Sequence, residues 1–286
     1  MATAPSDFGF PPLRRFSDRG IWDAFYWAPW QERSGVTSLL EAYDAERPAM
    51  ERAGLARQCV HLHIGAGTAR PELESGIREN PGAIRALLEQ RSDRLLGVAR
   101  LNADDVPRSL AAIEKWIAQG PMVGVCFVRG QVTCDHPNYD PLVRRLAELN
   151  ALIFELNWYN ILEGDGPGIS TPAKLAQLAA RHPDITFVSA HAGGEWEKGI
   201  RAVRAHPNIL VETSGFDPTA GFIEMAVREL GARRIVFGSH LPGRSMGTEF
   251  GKILGAAIGD KDKELILHEN LRRLLGPILR QKGWAG

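Results

Sequence analysis

The sequence is poor in cysteine, has no excess of either charge and lacks a long apolar run. Only 3 cysteines occur among 286 residues, Cys59, Cys126 and Cys134, and none belongs to a CxxC pair. That excludes a disulfide framework and a thiolate zinc site as expectations. Basic and acidic residues number 34 each, for a formal net charge of +0. Such a balance gives no electrostatic reason to bind nucleic acid or an anionic membrane. A small-molecule substrate is the expected partner. No apolar stretch reaches the roughly 20 residues of a membrane span. The segment Met1–Asp7 lacks a basic region followed by an apolar core, so no secretory signal is read there and a cytoplasmic location is expected. There is no internal repeat, no low-complexity segment and no interior linker rich in Pro, Gly and Ser. No G-x-G-x-x-G follows the first apolar run, which speaks against a dinucleotide-binding sheet.

What is present is an alternation of strand-like and helix-like segments. Strands are expected at Gly20–Trp30, Ala56–Ile64, Arg94–Leu101, Met122–Val128, Leu152–Leu156, Ile185–Ala190, Asn208–Thr213 and Arg234–Gly238. Helices are expected at Val36–Gly54, Gly82–Arg91, Val106–Gln119, Asp140–Leu149, Pro172–Arg181, Glu195–Ala205, Ala220–Leu230, Gly251–Ile258 and Lys261–Leu275. In Val106–Gln119, for example, Leu110, Ile113 and Ile117 recur at helical spacing. Alternation of this kind implies parallel strands with right-handed crossovers. Eight units point to a single (β/α)8 TIM barrel of class α/β, with an open doubly wound sheet as the alternative. The domain is read as 1–286, with 1–19 an N-terminal extension. The long loop Gly130–Pro141 is expected over the barrel mouth.

Several apolar runs end in a titratable side chain, as strands do at the active face of such a barrel. The run Arg234–Phe237 leads into Gly238-Ser-His240-Leu-Pro242, and Ile185–Ala190 into His191-Ala-Gly-Gly194. His191 and His240 are therefore candidate acid–base groups, because imidazole titrates near neutrality. Glu155, inside an apolar strand, is a candidate base or counter-charge, with Asn157 expected on the same face. His61 and His63 share one face of their strand and should point into the barrel. An H-x-H pair is also a way to hold a divalent metal. Arg100, Arg129 and Arg244 are candidate grips for a carboxylate, although loop anchoring is the plainer role. Trp22, Phe25, Tyr26, Trp27 and Trp30 form an aromatic cluster suited to a pocket wall, to core packing or to an interface. Exposed tryptophans there, with Trp284, would suit a homodimer. His136, His182, His206 and His268 are read as surface or capping residues.

The chain resembles the amidohydrolase-related (β/α)8 barrels known as amidohydrolase 2, which include aminocarboxymuconate-semialdehyde-type decarboxylases and metal-independent pyrone lactonases. The resemblance rests on Arg94–Asn102, Val123-Gly-Val125, His191–Gly194, Pro207–Ser214, the Phe237-Gly-Ser-x-x-Pro242 turn, and Glu269-Asn270 before Arg-Arg-Leu-Leu-Gly276. It implies a hydrolase or lyase acting on a small carboxylated or cyclic compound. It also implies metal ligands that this chain lacks. The family's first strand ends in Asp-x-His-x-His, where Phe25 and Trp27 stand here. The family's metal-binding histidine on the fifth strand has no counterpart in Leu152–Asn157. The sixth-strand histidine is His191, and His240 replaces the eighth-strand aspartate.

Three readings follow. One is a metal-free enzyme using His191, His240 and Glu155, with Arg100, Arg129, Asn157, Trp27 and Arg244 around the substrate and no cofactor. Another moves a zinc ion to His61 and His63 with His191 or His240. The last is a barrel that binds a ligand or partner without catalysis.

Overall fold

The structure, a computed structural model, describes residues 16, 18–27, 38–64, 80–157, 168–215 and 220–284. Trp30 and nearly all of the expected extension over 1–19 lie outside the described residues. The strands are β1 (Ile21–Trp27), β2 (Leu55–His63), β3 (Leu95–Leu101), β4 (Met122–Phe127), β5 (Leu152–Glu155), β6 (Phe187–Ser189), β7 (Ile209–Glu212) and β8 (Ile235–Val236). Each pairs in parallel with the next, in the order β1 to β8. The barrel closes through irregular backbone rather than a regular ladder. Ala24 N donates to Phe237 O at 2.8 Å, His240 N to Phe25 O at 2.7 Å, and Trp27 N to Leu241 O at 2.8 Å. Side chains complete the seam: Asp23 accepts from Ser239 N at 2.8 Å and from Ser239 Oγ at 2.6 Å.

Helices α1 (Leu39–Arg52), α2 (Pro81–Gln90), α3 (Val106–Ile113), α4 (Tyr139–Glu148), α5 (Pro172–Arg181), α6 (Trp196–Val203) and α7 (Phe222–Leu230) follow β1 to β7 in turn. Three more, α8 (Met246–Leu254), α9 (Asp260–Glu264) and α10 (Asn270–Gln281), follow β8. Their starts are written in the sequence. Asn80, Asp105 and Thr171 accept hydrogen bonds from the first-turn amides of α2, α3 and α5, and each of these helices carries a proline at its start. The long helix expected at Val106–Gln119 becomes a π-helical turn at Glu114–Ala118, and Leu265–Glu269 makes a second. The helix expected at Gly251–Ile258 begins earlier, at Met246. No helix among the described residues is long and apolar enough to cross a membrane.

Strand register sets which side chains share a face. His63, Arg100, Cys126, Phe154, Val188 and Leu210 are successive lateral partners from β2 to β7. Lateral partners in a parallel sheet point the same way, and neighbours along a strand point opposite ways. The Phe154 ring lies 4.9 Å from His61 and 6.4 Å from Phe25, so this row faces into the barrel.

Candidate active site

The C-terminal end of the barrel gathers rings from four strands around Phe25. Its centroid lies 3.9 Å from His61, 4.6 Å from His191 and 5.6 Å from His240, where the rings are stacked. His191 and His240 are themselves 4.9 Å apart. His61, His191 and His240 thus lie around a benzyl ring, while His63 lies apart against Arg100. His61 and His191 are buried, while His240, Trp27, His63 and Arg100 are half-buried along the rim.

His191 is the most constrained of these groups. It sits on the short turn Ala190–Gly193, where His191 and Ala192 both take left-handed backbone, with φ of 56° and 45°. Such conformations persist only where surroundings enforce them. Glu212, at the end of β7, supplies much of that enforcement. Its Oε2 accepts from His191 N at 3.0 Å and lies 3.2 Å from His191 Nδ1, while its Oε1 accepts from Ser214 N at 2.5 Å. Ser214 O and Oγ lie 3.2 and 3.0 Å from the same Nδ1. With a carboxylate and a carbonyl facing it, Nδ1 carries a proton, and Nε2 is the basic nitrogen of the ring. Burial raises Glu212, but the bonds and charge of His191 outweigh that and hold it near 2. It is therefore an anion behind the imidazole. Gly238 makes room for it, since a side chain there would collide with Glu212 Oε1.

His240 is held in the opposite sense. Trp27 Nε1 donates to its Nε2 at 2.7 Å, so the ring keeps its proton on Nδ1. Burial and the nearby His191 lower it to about 3. His61 Nε2 donates to Ala24 O at 3.1 Å, and burial lowers that ring to about 3 as well. Both are neutral imidazoles at ordinary pH. His63 Nε2 contacts Arg100 Nη1, and the Arg100 guanidinium lies 4.3 Å over the Trp27 ring.

Other expected residues fall elsewhere. Glu155 follows the inward Phe154 and so points outward, against Ser170 and Cys134. It does not reach the imidazoles, which corrects the expectation of a carboxylate inside the mouth. Asn157 is fully buried but bonds to Ser189, whose Oγ donates to its Oδ1 at 3.0 Å. Arg129 is exposed just beyond β4. Arg244 N donates to His240 O at 3.1 Å, and its cationic charge is felt at the His240 ring. Trp22 is buried rather than exposed, and so is His268, whose Nδ1 bonds Gly20 O at 3.0 Å. His182 caps α5 and bonds Asp140 at 2.8 Å. Asp104 binds Gln131 N at 2.7 Å and Val132 N at 3.1 Å, anchoring the start of the loop that follows β4. Sequence reasoning gave Glu212 and Asp23 no role, although each ends or enters an apolar strand as visibly as Glu155 does.

These donors do not suit a divalent cation. Phe25 and Trp27 offer no lone pair. The His240 lone pair is taken by Trp27, the His191 Nδ1 proton by Glu212, and His63 faces a guanidinium. Among the described residues no three His, Cys, Asp or Glu side chains form a metal-holding group. The zinc alternative on His61 and His63 finds no support in these bonds.

The family model described as amidohydrolase matches residues 20–276. Among solved structures, the 2,6-dihydroxybenzoate decarboxylase from Rhizobium is 18% identical with a TM-score of 0.68, over 90% of this chain and 98% of that one. An uncharacterised TIM-barrel protein from Bordetella bronchiseptica is 17% identical with a TM-score of 0.73, over 91% and 99%. A dihydroxybenzoic acid decarboxylase from Polaromonas sp. JS666, solved with bound manganese and the inhibitor 2-nitroresorcinol, is 15% identical with a TM-score of 0.68, over 91% and 97%. No curated protein matches. The structural likenesses show a shared barrel, and the family match spans all eight strands: the chain belongs to the amidohydrolase family.

Proposed function

We propose that the protein is an enzyme that performs imidazole acid–base chemistry on a small, planar carboxylated compound, as a lyase or hydrolase. The observation that carries this reading is the buried His191–Glu212 pair, with His240 at 4.9 Å ring distance. Glu212 and Ser214 fix the His191 ring from its Nδ1 side, which orients the imidazole for proton transfer in the space it shares with Phe25 and His240. The neutral His240 and Phe25 line the same space. They keep it apolar, which strengthens electrostatic interactions inside it. Arg100, backed by the Trp27 ring, is the group for a substrate carboxylate at the rim.

Proton delivery to a ring carbon with loss of carbon dioxide is the reaction this arrangement serves best. The Rhizobium and Polaromonas proteins carry the names of hydroxybenzoate decarboxylases, which supports the same substrate class. The manganese of the latter has no matching set of ligands among the described residues here. We therefore assign the proton transfer to His191.

The test is a panel of hydroxybenzoates and small aryl lactones, assayed with and without chelator. Turnover that survives chelation and is abolished in His191→Ala is the expected result. Turnover that is lost on chelation and restored by manganese would overturn the metal-free assignment. An inactive protein whose ligand binding is unchanged in His191→Ala would leave a binding barrel.

A further inference from the structure

A second buried polar group lies behind the His191 turn, and the chemistry above does not use it. Glu155, Asn157, Ser170, Ser189, Cys134 and Tyr139 are each at most 4% exposed. Asn157 Nδ2 and the Tyr139 hydroxyl have no hydrogen-bond partner, and the Glu155 carboxyl has only Ser170 and Cys134 against it, in poor hydrogen-bond geometry. Polar atoms buried in this way are rare and call for a reason.

These residues connect to the turn through short steps. Glu155 and Ser189 are lateral partners across β5 and β6. Asn157 N donates to Glu155 O at 3.1 Å, and Asn157 Oδ1 accepts from Ser189 Oγ at 3.0 Å. Ser189 is the residue immediately before Ala190–Gly193. At the other end of the turn, a side chain added at Gly193 would strike Pro172 and come within 3.4 Å of Asn157 Oδ1. Asn157 thus touches the turn's entry and backs its exit. On the opposite side, a side chain at Gly215 would come within 2.9 Å of His191 Cβ. The left-handed backbone of His191 and Ala192 is clamped between these contacts.

We propose that the Glu155–Asn157–Ser189 chain is a positioning device for His191, holding the strained turn from behind the sheet. The proposal rests on His191 as the proton-transfer group. Its setting depends on protonation. Burial pushes Glu155 up to about 8, with partial relief from Ser170 and Cys134 and a further rise from Asp135. The groups around it are Cys134 and Asp135 from the loop after β4 and Tyr139 from α4, while Cys126 of β4 feels its charge from the inner face of the sheet. Lys174 of α5 acts on Cys134, and β6 contributes only the uncharged Ser189. Burial raises both thiols and the Tyr139 hydroxyl above their ordinary ranges. Ionisation of Glu155 places a buried charge on the same outer face of the sheet as its lateral partner Ser189, where it perturbs the packing behind the turn.

Histidine-ring NMR on the full chain tests this without substrate, with His191 assigned by a His191→Asn variant. In the wild-type protein the His191 signals should move with a midpoint near pH 8, the range where Glu155 titrates. That movement should vanish in Glu155→Gln, whose His191 signals at lower pH should match the wild type. Asn157→Ala should displace the signals at every pH and remove the movement. A wild-type His191 that is silent near pH 8, or a movement that survives in Glu155→Gln, overturns the proposal. If Asn157→Ala fails to fold, the wild-type and Glu155→Gln titrations decide alone. Once a substrate is found, kcat and not KM should show the same alkaline limb. Absence of turnover would count against the acid–base reading and leave the NMR result standing.

Discussion

Replacing Glu155 by Gln should stabilise the protein by an amount that depends on pH. The folded chain holds the Glu155 proton up to about pH 8, against an ordinary value of 4.5. Between those limits the folded state binds a proton that the unfolded state has released. Stability is therefore greatest below the lower value, falls as pH rises through the window, and stops falling above about 8. The slope is about 1.4 kcal/mol per pH unit for a fully buried group. From pH 5 to pH 7.5 the wild type should lose roughly 3 kcal/mol that Glu155→Gln keeps. Other titrating groups act on both proteins and cancel in the difference. New bonds made by the amide add a constant offset and cancel too. Urea unfolding at the two pH values, followed by circular dichroism, gives the number. A stability difference between variant and wild type that is the same at both pH values would refute the reasoning, whatever its size.

Four other outcomes are expected. His61, lowered to about 3, gives stability that is complete above its ordinary value near 6.5 and is lost as pH falls toward 3; His61→Phe should flatten the acid limb in urea unfolding, and parallel limbs would contradict this. Gly238→Ala drives a methyl into Glu212 Oε1 and should cost about 2 kcal/mol or more; an unchanged urea midpoint would count against the packing described. Glu212→Gln removes the carboxylate that holds the His191 amide and ring, so turnover should fall about 100-fold or more; turnover equal to that of the wild type would separate the two groups. Trp27→Phe frees His240 Nε2, and the His240 ring should then gain a proton at higher pH than in the wild type, which a histidine-ring NMR titration reads.

The barrel was legible because its alternation is dense and its helix starts are marked. Asn80, Asp105 and Thr171 announce α2, α3 and α5, and apolar runs announce the strands. The inward direction of His61 followed from the apolar Val60 and Leu62 beside it. Glu155 and Glu212 show where this logic ends. Each closes a short apolar run, Leu152–Phe154 or Ile209–Val211, and period alone cannot say which face is inside. Register decides it, because Phe154 meets His61 while Glu212 meets His191. The Trp27–His240 bond spans 213 positions and left no local trace. Strand β8 is only Ile235–Val236, since much of its pairing with β1 passes to Phe237–Leu241 in irregular form.

The closing seam also governs when the pocket can come into being. Asp23 and Ser239 stand 216 positions apart, and three backbone bonds join the same two segments. During synthesis one edge of the first strand must wait until residues 237–241 have left the ribosome. Contacts of such long range form late. Until they do, the unpaired edge of the first strand is open to association with other chains. Expression at lower temperature or with chaperones should therefore raise the soluble yield more than any change confined to the outer helices.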